Sequence, residues 1–546
     1  MLLSLLFLAL SGANCQLLDK RILSSKASNP QDQIQVLFTL KQPDELEQNL
    51  ELAQNPKEFF KFQQSKSGIP MGNAAFSTQS FQSFMASGSY QEQRGRFVFE
   101  ALESNQASQI AAFKEAIAKT NATLLKEFRI STSFLLKLTK AEYAQIVQEA
   151  GNLIEEAFLD EPFSILPTKM RSFNAGNQEA KSPEPGDIQW NLKYIKADQV
   201  WKQLGVSGAG TIYANADTGV DAEHPALREN YLGKRDDGTI DHNYAWWDAV
   251  KSALLPVEKA TAPNVCGFDS QKPCDDNGHG THTMSTAVGR QGLGVAPGAR
   301  WMSCRNMDRG FGSNSSYLGC LEFFLAPTDL QGNNPRPEAR PHVIGNSYGC
   351  PAAEGCAPTA FRAASRALKA AGILMSVSAG NSGPSCSTID TPPAFEPLVL
   401  TVGALSFKSR TLAPFSSRGP ITVAAGVSRT LAKPDFVAPG ERILGAFPGG
   451  KYASLAGTSM ASPHVGGLLL LMAEGCRCLG REIESIYRVV VESALPIKIG
   501  DSVEVCGQES RNDVPNSAYG YGLINALKAL DNCRKKCASM NKLMAY

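Results

Sequence analysis

The stretch Gly457-Thr458-Ser459-Met460-Ala461-Ser462-Pro463-His464-Val465, followed by the apolar run Gly466 to Ala473, organises the rest of the chain. A Gly-Thr turn before small residues predicts a helix that begins near Ser459, where backbone N–H groups lack partners and the helix dipole is positive. The apolar run is long enough to bury that helix and to fix Ser459 in space. The position suits a nucleophile, although most serines at helix starts are simple caps.

Two other stretches make the catalytic interpretation specific. Asp217 lies in Ala216-Asp217-Thr218-Gly219-Val220, and His279 lies in Asn277-Gly278-His279-Gly280-Thr281-His282-Thr283. Together with the Ser459 stretch, they resemble the active-site signatures of the subtilisin-like serine proteases, whose triad runs Asp, His, Ser along the chain. The resemblance covers roughly residues 187 to 530 and implies a subtilisin-like peptidase domain.

The resemblance implies a role for each of these residues. Ser459 would be the nucleophile, His279 the general base, and Asp217 the carboxylate that orients His279 and stabilises its charged form. Asn381, in a Ser-Ala-Gly-Asn-Ser-Gly segment, corresponds to the asparagine that donates to the oxyanion of the tetrahedral intermediate. His282 matches a second histidine that is not catalytic, and we expect it to pack; a metal pair would need the Glu of His-Glu-x-x-His.

Two segments are expected to bind the substrate backbone. Ser347-Tyr348-Gly349 resembles the family segment that forms one wall of the primary pocket, and Arg309-Gly310-Phe311-Gly312 would be the opposite strand. The residues that we assign to substrate binding here are Ser347, Gly349 and Gly310. Main-chain pairing of this kind binds an extended peptide with little regard to its sequence. We therefore expect an endopeptidase that acts on protein or peptide segments in extended form.

Asp390 is the candidate for specificity. Counted from Asn381, it falls where the bacterial enzymes have a small residue at the floor of the primary pocket. A carboxylate there would favour Lys or Arg before the cut, as a pocket-floor Asp does in trypsin. Alternatively, Asp390 points outward or pairs with an internal base such as Arg418. The segments 301–308 and 323–327 look most like the bacillopeptidase F-like branch of the family.

Two other functions compete with the peptidase. Gly345-Asn346-Ser347-Tyr348-Gly349 spells the Gly-x-Ser-x-Gly elbow of α/β-hydrolases, with His464 as the late histidine, but Cys350-Pro351 would interrupt the helix that must follow. A catalytically dead scaffold is the other alternative. Such proteins usually lack a member of the triad, and here all members are present. Survival of activity in Ser459→Ala would support the esterase, and absence of fluorophosphonate labelling would support the scaffold.

The peptidase region is predicted to be an α/β domain with a doubly wound, mostly parallel sheet. Strand-like runs alternate there with helical patterns, and several candidate site residues directly follow strands, at the sheet edge where ligands bind. The predicted strands are Thr211–Ala216, Arg300–Arg305, His342–Asn346, Gly372–Ser378 and Pro397–Gly403; the predicted helices include Thr281–Val288, Ser315–Leu325, Pro358–Ala371 and Ser459–Ala473.

The first half of the chain is predicted to contain a targeting segment and a small α+β domain. Residues 1–15 have the apolar run and small residues of a cleaved signal peptide. Residues 16–170 resemble the inhibitory propeptide of the family, with a long insertion at 45–106 that we expect to be mobile. Residues 171–186 would be the linker that is cut, 187–530 the peptidase domain, and 531–546 a short tail.

Composition limits the partners and the compartment. The 546 residues include 53 basic and 52 acidic ones, and this balance argues against nucleic-acid and membrane partners. No later apolar run approaches the roughly 20 residues that span a bilayer. We expect a product that is secreted, or delivered to the lumen of a secretory or lytic compartment. The expected partners are extended substrates and the chain's own propeptide.

The cysteines fit an exported protein. Apart from Cys15, the 12 others lie between Cys266 and Cys537, which favours disulfides over zinc because no Cys-x-x-Cys pattern repeats. Local pairing predicts Cys266 with Cys274, Cys350 with Cys356, and Cys533 with Cys537. The glycan acceptors would be Asn121 and Asn314. The family resemblance implies no cofactor for catalysis and allows structural calcium, with no ligand set that the sequence identifies.

Overall fold

The computed structural model describes residues 17–18, 22, 32–66, 84, 89–164, 180–184, 186–252, 263–349, 356–397, 399–423 and 429–543. The predicted signal peptide, most of the predicted linker and Cys350 lie outside these ranges.

The described residues form a small amino-terminal domain and a larger domain that carries the candidate site. The strands are β1 (Leu17–Leu18), β2 (Gln33–Leu40), β3 (Thr123–Phe128), β4 (Ser133–Thr139), β5 (Ile154–Leu159), β6 (Phe163–Ser164), β7 (Ile212–Asp217), β8 (Trp246–Asp248), β9 (Arg300–Arg305), β10 (Met307–Asp308), β11 (Phe311–Gly312), β12 (Val343–Asn346), β13 (Leu374–Ser378), β14 (Leu400–Leu405), β15 (Ile421–Val423), β16 (Arg429–Leu431), β17 (Phe436–Pro439), β18 (Ile443–Phe447) and β19 (Lys451–Leu455). The α-helices are α1 (Asp44–Gln54), α2 (Pro56–Lys66), α3 (Ser89–Ser104), α4 (Ala107–Ala118), α5 (Lys140–Ala150), α6 (Trp190–Tyr194), α7 (Ala197–Leu204), α8 (His279–Val288), α9 (Asn314–Leu325), α10 (Pro358–Ala370), α11 (Thr458–Gly475), α12 (Ile483–Ser493) and α13 (Ala526–Leu543).

A sheet of seven strands forms the centre of the larger domain, in the order β17-β14-β13-β12-β7-β9-β8. Every neighbouring pair in it is parallel. The chain starts this sheet at β7, fills one side with β8 and β9, and then crosses to β12 on the other side. The crossing makes β7 and β12 the switch point, where ligands of open α/β sheets bind. The predicted doubly wound parallel sheet is confirmed, although β8 and β17 had not been predicted.

Helices cover both faces of this sheet. Alternate residues of β7 point to opposite faces, so Tyr213 packs in the core under α8 and α11, whereas Ala214 packs in the core under α9 and α10. Helix α11 is buried from Thr458 to Met472, as its apolar run requires. A helix buried on all sides is held at a fixed height above the sheet, and its first residues are fixed with it.

The amino-terminal domain is a five-stranded sheet in the order β1-β5-β2-β4-β3, covered by α4 and α5. Its core contains Phe38, Phe113 and Phe134, with ring centroids 4.9 to 5.6 Å apart. The α+β architecture that we expected is therefore observed.

The insertion at 45–106 does not behave as predicted. Its described residues form α1, α2 and α3, which we call the helical arm, and the arm packs on α10 of the larger domain. Leu46, Leu50 and Leu102 belong to the same buried cluster as Leu368 of α10. The expectation of a mobile insertion is wrong for the arm, because its apolar residues find partners more than 200 positions further along the chain. Residues 67–83 and 85–88 lie outside the described part.

Disulfides join distant segments more often than predicted. Cys266 pairs with Cys274 as expected, and two further pairs are Cys304–Cys320 and Cys386–Cys506. The predicted pair Cys533–Cys537 is wrong: these residues bond to Cys476 and Cys478 respectively. Side chains four residues apart on a helix point the same way, and in α13 both point at the segment that follows α11. The two bonds fasten α13, which includes part of the predicted tail, to the larger domain.

The structure bears on the expected glycan acceptors, on membrane-spanning helices and on metal ligands. Asn314 is buried and accepts a hydrogen bond from the Ala357 N–H (3.0 Å), so it is not a glycan acceptor, whereas Asn121 is exposed. No helix in the described ranges combines the length and apolar character needed to cross a membrane. Among the same residues, no group of three or more His, Cys, Asp or Glu side chains is arranged to hold a metal ion, so we assign no calcium ligands.

Candidate active site

Asp217 and His279 meet at the carboxyl edge of the sheet. Asp217 is the last residue of β7, and His279 is the first residue of α8. The His279 Nδ1 lies 2.7 Å from the Asp217 Oδ1. The Thr218 N–H donates to the same oxygen (2.8 Å), and the Thr283 hydroxyl donates to the Asp217 Oδ2 (3.1 Å). With Nδ1 bound to the carboxylate, Nε2 is the ring nitrogen that remains to exchange a proton with a nucleophile.

The surroundings of His279 favour its protonated form, although its burial does not. Burial of the imidazole opposes protonation, but the Asp217 carboxylate outweighs it and, with a smaller contribution from Asp275, raises the pKa of His279 above its ordinary value. His282 differs: burial lowers its pKa to about 4, and its Nε2 lies 3.0 Å from the Ile443 carbonyl oxygen. The expectation that His282 is a packing residue agrees with this environment.

Asp275 holds the start of α8 in place. Its Oδ1 accepts from the Gly278 N–H (2.8 Å) and the Thr218 hydroxyl (2.8 Å), and its Oδ2 accepts from the Thr281 N–H (3.0 Å). One carboxylate therefore ties the end of β7 to the beginning of α8, and so fixes the separation of Asp217 from His279. Sequence reasoning missed Asp275; the signal was an Asp before an Asn-Gly turn at a helix start.

Ser459 is placed by the unusual first turns of α11. Gly457, with φ of 158°, precedes the helix, and Pro463 lies within it. Because Pro463 has no N–H, the Ser459 carbonyl lacks its normal helical donor and accepts instead from the Ser347 hydroxyl at 3.2 Å. The Ser459 hydroxyl in turn donates to the Ser347 carbonyl at 3.0 Å. Two reciprocal bonds thus join the nucleophile candidate to the end of β12.

Asn381 and the Ser459 N–H face the same small space. The Asn381 Oδ1 accepts from both the N–H and the hydroxyl of Thr458, each at 2.9 Å, which orients the amide so that Nδ2 points the other way. A Cβ added to Gly457 would lie 3.6 Å from the Asn381 Nδ2 and 3.6 Å from the Ser459 nitrogen. The two nitrogens therefore lie close to one point, as the donors of an oxyanion hole must.

The predicted substrate strand is occupied by the amino-terminal domain. Arg309 and Gly310 form the turn between β10 and β11, with φ of 54° and 87°, the left-handed values of a two-residue hairpin turn. On its other side β11 pairs antiparallel with β6, so that Phe311 faces Ser164 and Gly312 faces Phe163. The segment predicted to bind an extended substrate thus carries an extended strand from the chain itself.

A family model described as peptidase S8, Subtilase family, matches residues 208–522, which contain every candidate site residue named above. The chain belongs to the subtilase family.

Three relatives illustrate the extent of the similarity. Bacillopeptidase F of Bacillus subtilis (strain 168) is 29% identical over 430 residues, which are 76% of this chain and 26% of that protein. Subtilisin-like protease 6 of Trichophyton rubrum is 37% identical over 202 residues, 37% of this chain and 44% of the relative. An intracellular serine protease of Paenibacillus polymyxa is 29% identical over 294 residues, which are 53% of this chain and 73% of that protein. The chain spans less than half the length of the first two relatives.

The wall of the subtilase cleft near Ser347 is close to the Asp390 loop. A Cβ added to Gly349 would lie 2.8 Å from the Thr391 hydroxyl oxygen, so the residue after Asp390 touches the wall. The Asp390 side chain is open to solvent on one side, and the protein around its other side raises its pKa above the ordinary value. Among the described residues it forms no ion pair with Arg418, whose side chain is buried.

The esterase alternative does not fit this subtilase geometry. Ser347 bonds to the Ser459 backbone, and β12 is not followed directly by a helix in the described residues up to 349. His464 lies inside α11, where Nε2 is 2.8 Å from the Asn191 side-chain nitrogen and burial lowers its pKa to about 4. It is far into the buried helix and serves packing.

Proposed function

We propose that this subtilase is a secreted serine endopeptidase, made as a zymogen that its own amino-terminal domain inhibits. The observation that carries the proposal is the set of groups at one sheet edge: the Asp217–His279 pair at 2.7 Å, the Ser459 hydroxyl, and the Asn381 and Ser459 nitrogens close to one point. The predicted signal peptide and the disulfides support secretion.

The chemistry follows from these groups. The Ser459 hydroxyl would leave the Ser347 carbonyl, turn to the His279 Nε2, and attack the substrate carbonyl while the proton moves to the imidazole. Asp217 stabilises the imidazolium, and the oxyanion is held by the Asn381 side chain and the Ser459 N–H. His279 then gives the proton to the leaving amine, and water hydrolyses the acyl group from Ser459 by the same steps.

Three contacts support the zymogen. Strand β6 pairs with β11 where an extended substrate is expected. Two carboxylates of the amino-terminal domain lie at helix N-termini of the subtilase domain: Asp160 accepts from the Ser315 N–H of α9 (2.9 Å), and Glu156 accepts from the Thr359 (3.0 Å) and Ala360 (2.8 Å) N–H groups of α10. The first N–H groups of a helix have no partner within it, so such positions suit a hydrogen-bond acceptor.

Specificity is the finer part of the proposal. We propose that Asp390 favours Lys or Arg before the cut, because it is exposed beside the Ser347–Gly349 wall and its pair with Arg418 is absent from the described ion pairs. A set of peptides that differ only in the residue before the cut tests this. Asp390→Asn should remove the preference for Lys and Arg and leave cleavage after Leu unchanged; an unaltered profile would refute it.

The intact mass of the secreted protein tests the zymogen and the nucleophile together. Wild type should lose about 150 to 185 residues, whereas Ser459→Ala should keep them, and a fluorophosphonate should label wild type only. Ser462→Ala, which changes a buried serine one turn further along α11, is the matched control and should mature normally. Equal trimming of wild type and Ser459→Ala would show that another protease makes the cut, and an unlabelled, untrimmed wild type would support the scaffold.

A further inference from the structure

The helical arm makes a contact with the subtilase domain that the cleft does not need. Helices α1 and α3 lie against α10, and their inner residues Leu50, Val98 and Leu102 are buried with Ala364 and Leu368 of that helix. This contact involves side chains, whereas β6 and β11 pair through their backbones. A surface of this kind recognises one partner and not extended peptides in general.

Arg94 is the most specific element of the contact. Its side chain is 1% exposed, and all its acceptors belong to the subtilase domain. The guanidinium donates to the carbonyl oxygens of Lys369 (2.9 Å) and Ala370 at the end of α10, and to the Glu482 carboxylate at 3.1 Å. The carboxyl end of a helix is electronegative, so this socket is matched to a planar cation with several donors.

The contact is reciprocal. Arg340 of the subtilase domain is 2% exposed, and it donates to the Gln91 carbonyl of α3 while also holding the carbonyls of Pro337 (2.9 Å) and Ala371 (2.8 Å). Its guanidinium occupies the space where a side chain at Gly95 would stand. Because three carbonyls hold Arg340, it cannot yield to such a side chain without losing hydrogen bonds.

Helix α10 is therefore held at both ends by the same domain. The Glu156 carboxyl group accepts from its first N–H groups, and the Arg94 guanidinium donates to its last carbonyls, so the unpaired backbone groups at both helix ends find partners. Between the two ends, Glu47 of α1 forms an ion pair with Arg366 on the outer turn. The contact extends along the helix and lies away from the Ser459 region.

We infer that the α10 surface is an exosite for the helical arm, which retains the cleaved amino-terminal domain on the mature subtilase after its tail has been cut. The inference rests on the proposed zymogen function and adds where the inhibitor is held. The cleft strand joins only two residues on each side, and Glu156 holds the start of α10, so the arm adds the side-chain contact at the other end of that helix. Release of activity is then limited by separation of the arm from α10.

The test uses the full chain, secreted and self-processed. Size-exclusion chromatography should show the fragment co-eluting with the subtilase domain, and dilution into a fluorogenic peptide should give activity after a lag. Gly95→Ala and Arg94→Lys should shorten that lag at least tenfold, with the same final rate. Alanine is the better helix former, so the Gly95 variant cannot act by weakening α3 itself. Gln93→Ala, on the exposed side of α3, is the matched control and should keep the wild-type lag.

A charge exchange tests the same surface where those variants fail to fold. Glu47→Lys and Arg366→Glu should each shorten the lag, and the double variant should restore it, since both positions are partly exposed. A lag within twofold of wild type in Gly95→Ala and Arg94→Lys, or single exchanges that the double variant does not rescue, would overturn the exosite. A wild type that is active at once with its fragment lost would overturn the exosite alone, whereas a wild type that stays uncut would overturn the proposed self-processing zymogen and the exosite with it.

Discussion

Two of the contacts between the amino-terminal domain and the subtilase domain differ in kind. At the cleft, β6 joins β11 through main-chain groups that any extended peptide possesses. At α10, the arm presents Arg94 to a socket of carbonyls and a carboxylate, with leucines buried beside it. The cleft can therefore accept many sequences, whereas the α10 surface is matched to one. Substrate turnover in the cleft can therefore be separated from retention of the cleaved amino-terminal domain on α10. Each of the following substitutions is expected to change one of these two properties and not the other.

Asp217→Asn should have the largest effect and should act on the cleft alone. We expect kcat to fall by about 10⁴-fold, because the imidazolium loses its stabilising charge. His279 must be neutral to accept the proton, and Asp217 raises its pKa above the ordinary value, so wild-type activity should fall as the pH drops through that raised pKa. In the variant, the remaining activity should fall at a lower pH than in wild type, because the His279 pKa is no longer raised by Asp217.

The measurement is kcat/KM against pH for both subtilase domains after the amino-terminal domain has been removed, because Asp217→Asn would process itself too slowly. Asp237→Asn, at an exposed turn, should give the wild-type profile. An acid limb that stays in place in Asp217→Asn would contradict the assignment of His279 as the base.

Asn381→Ala should reduce kcat by about 10²- to 10³-fold with little change in KM, because one oxyanion donor is lost. Thr458→Val provides the comparison: it removes one hydroxyl that orients the Asn381 oxygen but keeps the amide donor, so its loss should be smaller. Steady-state kinetics on one peptide distinguish the two. Similar losses in both variants would indicate that Asn381 acts only by holding Thr458.

Leu50→Ala should disturb the arm alone. Loss of a buried leucine typically destabilises by 2 to 5 kcal/mol, and we expect about 2 kcal/mol here because two packed helices can partly close the gap. Hydrogen exchange of α1 and α3 in the Ser459→Ala chain measures this change. Exchange in β7 and α8 should stay as it was, and exposed Glu51→Ala should alter neither region.

Glu156 should make retention depend on pH. Burial raises its pKa to about 7 and outweighs the Thr359 and Ala360 N–H donors, which favour the charged form. A raised pKa means that this contribution to docking is complete below the ordinary pKa near 4.5 and is lost as the pH rises through 7. Because the N–H donors oppose the effect, we expect release of the fragment to accelerate by about tenfold or less between these pH values.

Glu156→Gln, which cannot ionise, should flatten this dependence when the activation lag is measured from pH 4.5 to 7.5. The Asp160 pKa is also raised by burial, so Asp160 remains as a second source of the same trend. An equally steep dependence in Glu156→Gln would assign the trend to Asp160 or to another group.

The sequence predicted the sheet and the catalytic edge because their signals are local. A strand that ends in Asp217, a glycine-rich start before His279, and a buried helix after Ser459 can each be recognised within a dozen residues. Because parallel strands end at a common edge, their order along the chain was enough to bring them together.

The arm and the disulfides were not predicted correctly because their partners are remote. Nothing near Arg94 in the chain shows that the end of α10 will accept its guanidinium. Gly95 by itself suggests a loop, and only the structure shows that a side chain there would meet the Arg340 guanidinium. Cys533 and Cys537 are close in sequence, but a helix turns both toward Cys476 and Cys478. Packing between distant segments decided these features, and composition alone had suggested a mobile insertion.

The two disulfides of α13 affect how easily other copies of this protein could cleave its carboxyl-terminal region. Chain ends fray, and frayed ends are where proteolysis begins. Here the last described helix is fastened at points one turn apart to the segment that follows α11, the helix that begins beside Ser459. A peptide must be extended before it can pair with β11, and the two disulfides restrain the helix up to Cys537 from unwinding. We therefore expect the region before Cys537 to be a poor substrate for neighbouring copies of the proposed peptidase.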